Sequence, residues 1–252
     1  MLNKCIKSLF FYFCTMPLIL HLETSAEFCS VCISRGTTIL AKRDTTERFV
    51  HAATITVYVE ECVHEAGIKL AEIDAVAVSM GPGSYTGLRI GLSAAKGICY
   101  ALEKPLIPVD TLQTLAGAAY KKNPQKAIYL PMIDARRMEV YTASFDHQQK
   151  RRTPTAAVIL TNTSFSDLLS SDKKIVVCGN GAVKAKEVML SERIDFQPLI
   201  SHAGYMIPLA LETWNNKNFA DLAYCEPWYF KSPNITTPRP NVLSKIMNDK
   251  NL

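Results

Sequence analysis

The run Gly81-Pro82-Gly83-Ser84-Tyr85-Thr86-Gly87-Leu88-Arg89-Ile90-Gly91 constrains the fold more than any other stretch of this chain. It follows a strand-like apolar segment, Asp74 to Met80, and opens a segment with helical spacing from Leu88 to Leu102. Glycine has no Cβ, so a glycine-rich turn between a buried strand and a helix lets another group approach the backbone closely. The residues Ala94-Ala95-Lys96-Gly97 and Pro105-Leu106 continue the string. A strand, a glycine turn and a helix in that order point to an α/β fold.

The cadence around this unit is regular. From Pro17 onward the pattern predicts strands at Leu18–Glu23, Cys29–Ser34 and Thr37–Thr45, the last two joined at Arg35-Gly36. A helix follows over Arg48–Ala66, closed by Gly67 as its C-cap. Then come a strand at 74–80, the helix at 88–102, a strand at 106–109 and a helix opening at Asp110-Thr111, both good caps. The second half begins to repeat the series, with strands at Ala127–Asp134, Met138–Phe145 and Ala156–Leu160. A helix at Ser164–Ser170, a strand at Lys174–Cys178 and a helix after Gly179-Asn180-Gly181 complete it. A duplicated βββαβα unit without visible residue identity is a topological repeat. It matches the actin/Hsp70/sugar-kinase architecture, an α/β fold of two lobes with the second abbreviated.

Residues 16–122 are expected to form the first lobe and 123–230 the second, linked through Lys121-Lys122-Asn123-Pro124-Gln125-Lys126. Past Phe230, the stretch 231–252 carries three prolines and little periodicity, which reads as an extended arm. At the other end, Lys4 and Lys7 precede a short apolar run, Leu9 to Cys14, superficially like a secretion signal. The run is short and no small-residue cleavage pattern follows. Met16 is the expected start, with 1–15 a non-core leader. No segment is long enough to span a membrane.

Composition narrows the function classes. Apolar residues make up 48% of the 252, enough for a sizeable core. The net charge of +5 is spread over the chain. The two short basic runs, Lys150-Arg151-Arg152 and Lys173-Lys174, read as solvated loops, so stand-alone nucleic-acid binding is not indicated. The eight cysteines fall within strand and helix patterns, as Cys62 and Cys99 do, where reduced thiols act as small hydrophobes. Cys29 and Cys32 spell C-x-x-C, but positions three apart on a strand face opposite ways and cannot share a metal.

Two kinds of candidate site remain. Glu23-Thr24-Ser25 ends the first strand, and its hydroxyls read either as turn caps or as the surroundings of an acid that orients metal and phosphate. Glu23, Ser25, Gly81, Gly83, Ser84 and, from the matching second-lobe hairpin, Asp134 form a candidate weak nucleotide or phosphate loop. Ala135-Arg136-Arg137 puts bulk where phosphate loops keep glycines, and Cys178-Gly179-Asn180-Gly181-Ala182 only echoes an adenosine loop. None of the five histidines, His21, His51, His64, His147 and His202, lies three or four residues from another. No helix therefore presents a chelating pair, and neither a metal nor a cofactor is expected. Gly-x-Ser-x-Gly and cysteine-nucleophile motifs are missing too, so no catalytic residue is assigned.

The second candidate is a surface. In the helix at 48–66, Phe49, Ala52, Ala53, Ile55, Tyr58, Val59, Cys62, Val63 and Ala66 cover about 220° of circumference, where one sheet-facing stripe needs about 100°. The surplus, running through His51, Ile55, Tyr58 and Cys62, faces either a second partner or the interior of its own lobe. Leu88, Gly91, Ala94, Ala95 and Ile98 recur at similar spacing on the next helix and are small enough for close helix approach.

With the string 81–91 at its centre, the chain resembles the TsaB (YeaZ) family, relatives of the threonylcarbamoyl transferases that modify tRNA. The resemblance runs from Pro17 to Ile246 and is strongest from Asp74 to Leu115. Further support comes from Ile133-Asp134-Ala135-Arg136-Arg137-Met138-Glu139-Val140-Tyr141 and from Glu226-Pro227-Trp228-Tyr229-Phe230. The sister TsaD family resembles the chain through the glycine loop but then carries a histidine pair, H-x-x-x-H, where Thr111 and Leu115 stand here. Leucine cannot ligate a metal.

The resemblance implies a cytoplasmic, non-catalytic subunit of the bacterial complex that makes N6-threonylcarbamoyladenosine at position 37 of tRNAs reading codons that start with A. A separate enzyme would make threonylcarbamoyl-adenylate from threonine, bicarbonate and ATP, and a TsaD-like transferase would move the group to the adenosine. A TsaE-like ATPase joins the complex, through which tRNA is met. The resemblance also favours the two first-lobe helices as the contact, used for the transferase or for a homodimer. The alternative is an active ATPase or kinase of the same architecture, using Glu23 and Asp134 with magnesium.

Overall fold

The computed structural model describes residues 16–45, 47 and 51–231. The leader at 1–15, the arm beyond Lys231 and the helix start at Arg48 and Phe49 lie outside the described residues.

In the first lobe, strands β1 (Leu18–Glu23), β2 (Ser30–Arg35), β3 (Thr38–Asp44), β4 (Ala75–Gly81) and β5 (Leu106–Asp110) form one sheet in the order β3-β2-β1-β4-β5. β1 runs antiparallel to β2, from Leu18 opposite Arg35 to Glu23 opposite Ser30, and parallel to β4. Helices α1 (His51–Glu65) and α2 (Tyr85–Leu102) cover one face of it. The period-2 alternation of β1 sends Leu18, Leu20 and Leu22 toward that face, where they meet Val31, Ile33, Val76 and Val78. Ile19 turns the other way, to Ala75, Ala77, Ile107 and Val109. A sheet covered on both faces needs strands that are apolar throughout, which is why β1 and β4 read as unbroken hydrophobic runs. Each aliphatic side chain so buried contributes about 1.5–3 kcal/mol.

The second lobe repeats the plan. Strands β6 (Ile128–Asp134), β7 (Glu139–Thr142), β8 (Ala156–Ile159), β9 (Ile175–Cys178) and β10 (Ile194–Gln197) lie in the order β10-β9-β6-β7-β8. Its first three strands are antiparallel neighbours and its first and fourth are parallel, as in the first sheet. This is the two-lobe actin/Hsp70/sugar-kinase architecture. Helix α3 (Thr111–Lys122) passes between the sheets, with Leu112, Leu115, Ala116 and Ala119 packed on Tyr129, Phe145 and Val176. The second-lobe helices α4 (Ser166–Leu169) and α5 (Ala182–Val188) are short, as an abbreviated lobe requires.

Three differences from the sequence expectations have physical causes. Helix α2 starts at Tyr85 rather than Leu88, because Ser84 caps it: the Ser84 hydroxyl accepts the Gly87 N–H at 3.2 Å. Glycine at this turn hides the start, since it is a poor helix former. Strand β7 ends at Thr142, and Phe145 instead makes an isolated bridge to Tyr129.

The third difference concerns the lobe boundary expected at 230. From Ala203 the chain returns to the first sheet through a single 3-10 turn, Ala203–Met206, and helix α6 (Ile207–Asn215). Met206 and Ala210 pack on Ile19, Ala77, Ile107 and Val109, with Trp214 and Phe219 beside them. Ala220 then bridges Leu106, and the Trp228 N–H donates to the Met80 carbonyl at 2.8 Å. By packing, 203–228 belongs to the first lobe. The second face of the first sheet is apolar and needs a cover, and helical periodicity does not say which sheet a helix lands on. No described helix is long and apolar enough to cross a membrane.

Candidate functional site

The lobes face each other across a cleft of about 410 Å³, with Ser25, Gly83 and Ser84 on one wall and Asp134, Arg136 and Asn180 on the other. The first wall is the turn after β1. There the Ser25 N–H donates to Glu23 Oε1 at 2.6 Å, the Thr24 N–H donates to Ser79 Oγ at 3.2 Å, and the Ser84 N–H donates to the Ser25 carbonyl at 2.7 Å. His51 Nε2 lies 3.0 Å from the Ala26 carbonyl and ties α1 to the same turn.

Glu23 points back into the lobe, not into the cleft. It is 0% exposed, and its Oε2 has no hydrogen-bond partner. Burial pushes its carboxyl above the ordinary range, toward the neutral form, against the opposing hydrogen bonds from Ser25. The expectation that Glu23 faces a phosphate or metal is corrected: the turn residues Thr24 and Ser25 seal it in.

The glycines of the string also face protein. A Cβ at Gly83 would collide with Ser25, one at Gly87 with the Thr24 carbonyl, and one at Gly91 with the Thr24 hydroxyl. Gly81 has φ +119° and ends β4 at a cis bond with Pro82, and a Cβ there would sit 2.9 Å from the Trp228 carbonyl oxygen. The close approach that these glycines permit is that of the β1–β2 turn and of the returning chain. Of the six candidate loop residues, Ser25, Gly83, Ser84 and Asp134 line the cleft, and Glu23 and Gly81 do not.

On the second wall Asp134 is already engaged. Lys184 Nζ lies 2.5 Å from Asp134 Oδ1, and that oxygen also accepts the Arg136 N–H at 2.6 Å. The Asp134 N–H donates to Asn180 Oδ1 at 2.9 Å. Arg136 and Arg137 sit at φ 71° and 50°, in the left-handed region. Gly179 and Gly181 pack on Met132 as the first-lobe glycines pack on Thr24 and Ser25. Lys184 and Asn180 were missed by sequence reasoning. Asn180 sits inside a quoted glycine run, whereas nothing local marks Lys184, since its partner is 50 residues away. At the cleft mouth, Tyr85 stacks on Tyr229 with ring centroids 4.9 Å apart, and Lys231 pairs with Glu139 at 2.5 Å.

The positions that compare with the sister family's histidine pair are both interior. Thr111 and Leu115 are each 1% exposed, and Leu115 packs in the core with Tyr129 and Cys178. Asp110 caps α3 by accepting the Gln113 N–H at 2.9 Å. Burial raises its carboxyl, opposed by that bond and by the Arg151 guanidinium. Cys29 and Cys32 pack in different clusters on opposite faces of the sheet, their thiols pushed up by burial to about 11 and about 12. Among the described residues no group of three or more His, Cys, Asp or Glu is placed to hold a metal ion.

The stripe expected to meet a partner is largely the one that meets the sheet. His51, Ile55 and Cys62 on α1 and Leu88, Gly91 and Ala95 on α2 are buried, while Tyr58, Ala94 and Ile98 are half-buried. The outward face of α1 instead carries Ala53, Thr56, Val57 and Glu60, so the surplus of the apolar arc lies on the other side of the stripe from Tyr58. Cys62 Sγ contacts the Val31 carbonyl at 3.8 Å, which shows how closely that stripe sits on β2.

Comparison with known proteins decides between the related families. A family model described as TsaD, tRNA N6-adenosine threonylcarbamoyltransferase, matches residues 46–224. The tRNA threonylcarbamoyladenosine biosynthesis protein TsaB of Escherichia coli is 31% identical over 221 residues, which cover 85% of this chain and 94% of that protein. The chain belongs to the TsaB (YeaZ) family. The TsaB of Haemophilus influenzae is 34% identical over 138 residues, 53% of this chain and 56% of that protein. A tRNA N6-adenosine threonylcarbamoyltransferase of Halalkalibacterium halodurans is 39% identical over 132 residues, but these are 46% of this chain and only 38% of that protein. The solved structure of YeaZ from Pseudomonas aeruginosa superimposes with a TM-score of 0.72 at 27% identity, covering 85% of this chain and 100% of that one. The E. coli TsaB matches across both lobes and nearly its whole length, whereas the H. halodurans transferase matches 46% of this chain.

Proposed function

We propose that this protein is a non-catalytic accessory subunit for making N6-threonylcarbamoyladenosine at position 37 of tRNAs that read codons beginning with A. It works in the cytoplasm, docks on a TsaD-like transferase and supports it. The observation that carries the reading is the condition of the two expected cleft acids. Glu23 is sealed inside its lobe and the Asp134 carboxylate is paired with the Lys184 ammonium through Oδ1, so neither stands as the unpaired cleft acid that holds magnesium in phosphoryl transfer. The core positions of Thr111 and Leu115 support the same reading, as does the name of the E. coli relative, a biosynthesis protein for this modification.

The docking surface is the outward side of α1, with Ala53, Thr56 and Val57, together with the half-buried edge of α2 formed by Ile90, Ala94 and Ile98. These are small or aliphatic side chains, which suits a helix-on-helix contact. The same face serves a homodimer, so the transferase and a second copy compete for it. A TsaE-like ATPase joins the pair, and tRNA is met by the assembled complex.

The test is reconstitution of tRNA modification from the transferase, the ATPase and the enzyme that makes threonylcarbamoyl-adenylate, with and without this chain. Modification is expected to require it. Val57→Glu is expected to abolish co-purification with the transferase while leaving the melting temperature unchanged, since Val57 is 47% exposed. Steady-state ATP turnover by the isolated protein that is lost in Glu23→Ala would establish the ATPase alternative instead.

A further inference from the structure

The second lobe carries a groove far from the inter-lobe cleft. Its volume is about 780 Å³, and the linker after α3, the turn after Phe145 and the loop before β9 contribute its walls. Lys126, Arg152, Lys173 and Lys174 line it, all exposed. The groove sits at the starting ends of β6 and β9, whereas Asp134 and Asn180 hold the cleft at their finishing ends.

The tertiary structure thus gathers the linker Lys126, Arg152 and the Lys173-Lys174 pair, which the sequence keeps 26 and 21 residues apart. Ile128 pairs with Ile175, Tyr129 bridges Phe145, and Phe145 bridges Arg151. Four neighbouring chain segments span three interstrand spacings, about 14 Å. Several cations elsewhere are paired with acids: Lys184 with Asp134, Arg151 with Asp110, and Arg43 with Glu61 and Glu65. Among the described residues, none of the four groove cations has a carboxylate within ion-pair distance. Two acids share the groove, Asp146 and Asp172. Asp146 Oδ1 is occupied by the N–H groups of Gln148 and Lys150, and Asp172 leans 3.8 Å from Arg193.

We infer that this groove is a contact surface for the phosphate backbone of RNA. It deepens the proposed function and rests on it, because that reading supplies tRNA as the polyanion. His147 is on the groove, but no Phe, Tyr or Trp lines it, so it lacks a broad stacking platform for bases. Its contribution is positional and independent of sequence: ammonium and guanidinium groups replace counterions along the strand.

The test uses the full chain, alone and paired with the transferase, and the unmodified transcript of a tRNA that reads a codon starting with A. Binding is followed by fluorescence anisotropy across about 50 to 200 mM salt. The variant Lys126→Gln/Lys173→Gln/Lys174→Gln lowers the net charge from +5 to +2, and so does the control Lys69→Gln/Lys186→Gln/Lys217→Gln on exposed sites elsewhere. The groove variant is expected to bind about tenfold or more weakly near 0.1 M salt, with the log–log salt slope reduced by about 3, while the control stays within about twofold. Equal affinities for the two variants, or wild-type binding that ignores salt, would overturn the assignment. Unchanged RNA affinity with lost transferase pairing would also overturn it and assign the groove to an acidic protein surface. Failure of the wild-type chain to pair with the transferase would count against the proposed function alone, because RNA affinity is read separately.

Discussion

The hydroxyl of Thr24 occupies the space in which a side chain at Gly91 would begin. One turn earlier the Thr24 carbonyl does the same to Gly87. Alanine in a helix interior is favoured over glycine by about 0.5–1 kcal/mol, but overpacking a filled site costs about 1–3 kcal/mol. Gly91→Ala is therefore expected to destabilise the protein by about 1–2 kcal/mol in urea unfolding, the overlap outweighing the propensity. In a Thr24→Ala background the same substitution loses its clash and becomes neutral or stabilising, a coupling that a double-mutant cycle reads directly. Gly97 on the same helix has nothing within 4 Å of a Cβ, so Gly97→Ala should stabilise by about 0.5–1 kcal/mol. Equal effects at Gly91 and Gly97 would rule out the contact as the reason for the glycine.

The two faces of α1 predict opposite behaviour. Ile55 is 2% exposed in the core, so Ile55→Ala should cost about 2–5 kcal/mol in transfer and cavity terms, measured by denaturant unfolding. Val57→Ala on the outward face should change stability by less than about 0.5 kcal/mol. If Ile55 were a free contact position, the two substitutions would have similar small effects on the isolated protein.

Glu23 makes stability fall as pH rises. Its folded carboxyl is raised by burial above the ordinary value of 4.5. Above pH 4.5 the unfolded chain gives up a proton that the folded chain keeps. The stabilisation is complete below 4.5 and is lost as pH climbs through the folded value, by up to about 1.4 kcal/mol per pH unit. Glu23→Gln keeps an oxygen for the Ser25 N–H and removes this slope, so at pH 8 the variant should be at least as stable as the parent. A variant clearly less stable than the parent at pH 8 would mean that Glu23 is held as a carboxylate.

His21 acts with the opposite sign. Burial lowers its pKa from 6.5 to about 3, and its Nε2 stands 2.9 Å from Ser34 Oγ. Below pH 6.5 the unfolded chain takes up a proton that the folded chain refuses, so stability present above 6.5 is lost toward pH 3. Above 4.5 the falling Glu23 contribution opposes the rising His21 contribution, so stability is expected to climb less steeply there than His21 alone would make it. Melting temperatures of His21→Asn across pH 3.5 to 7 should fall less steeply than those of the parent on the acid side. An unaltered acid limb would assign it to other groups.

Much of the fold was legible because its signals are local. The apolar runs of β1 and β4, the Asp110 cap, the Gly67 stop at φ +64° and the opposed faces of Cys29 and Cys32 follow from spacing along a few residues. The repeated strand order was also visible, because each lobe spells its unit in sequence order. The resemblance to the sister family likewise set Thr111 and Leu115 where that family carries its histidine pair.

What meets what was decided by tertiary structure. Spacing on α1 marked an apolar arc but not which part of it would lie on β2, because an arc wider than one stripe has more than one way to pack. The glycine string announced a close approach without naming Thr24 and Ser25, 58 and more residues from the glycines they touch, as the chain that approaches. Lys184 closes on Asp134, α6 covers the first sheet rather than the second, and two basic runs converge on one groove. Each of these is a contact between distant segments, fixed by which buried surfaces must be covered, and no periodicity within a segment encodes its partner.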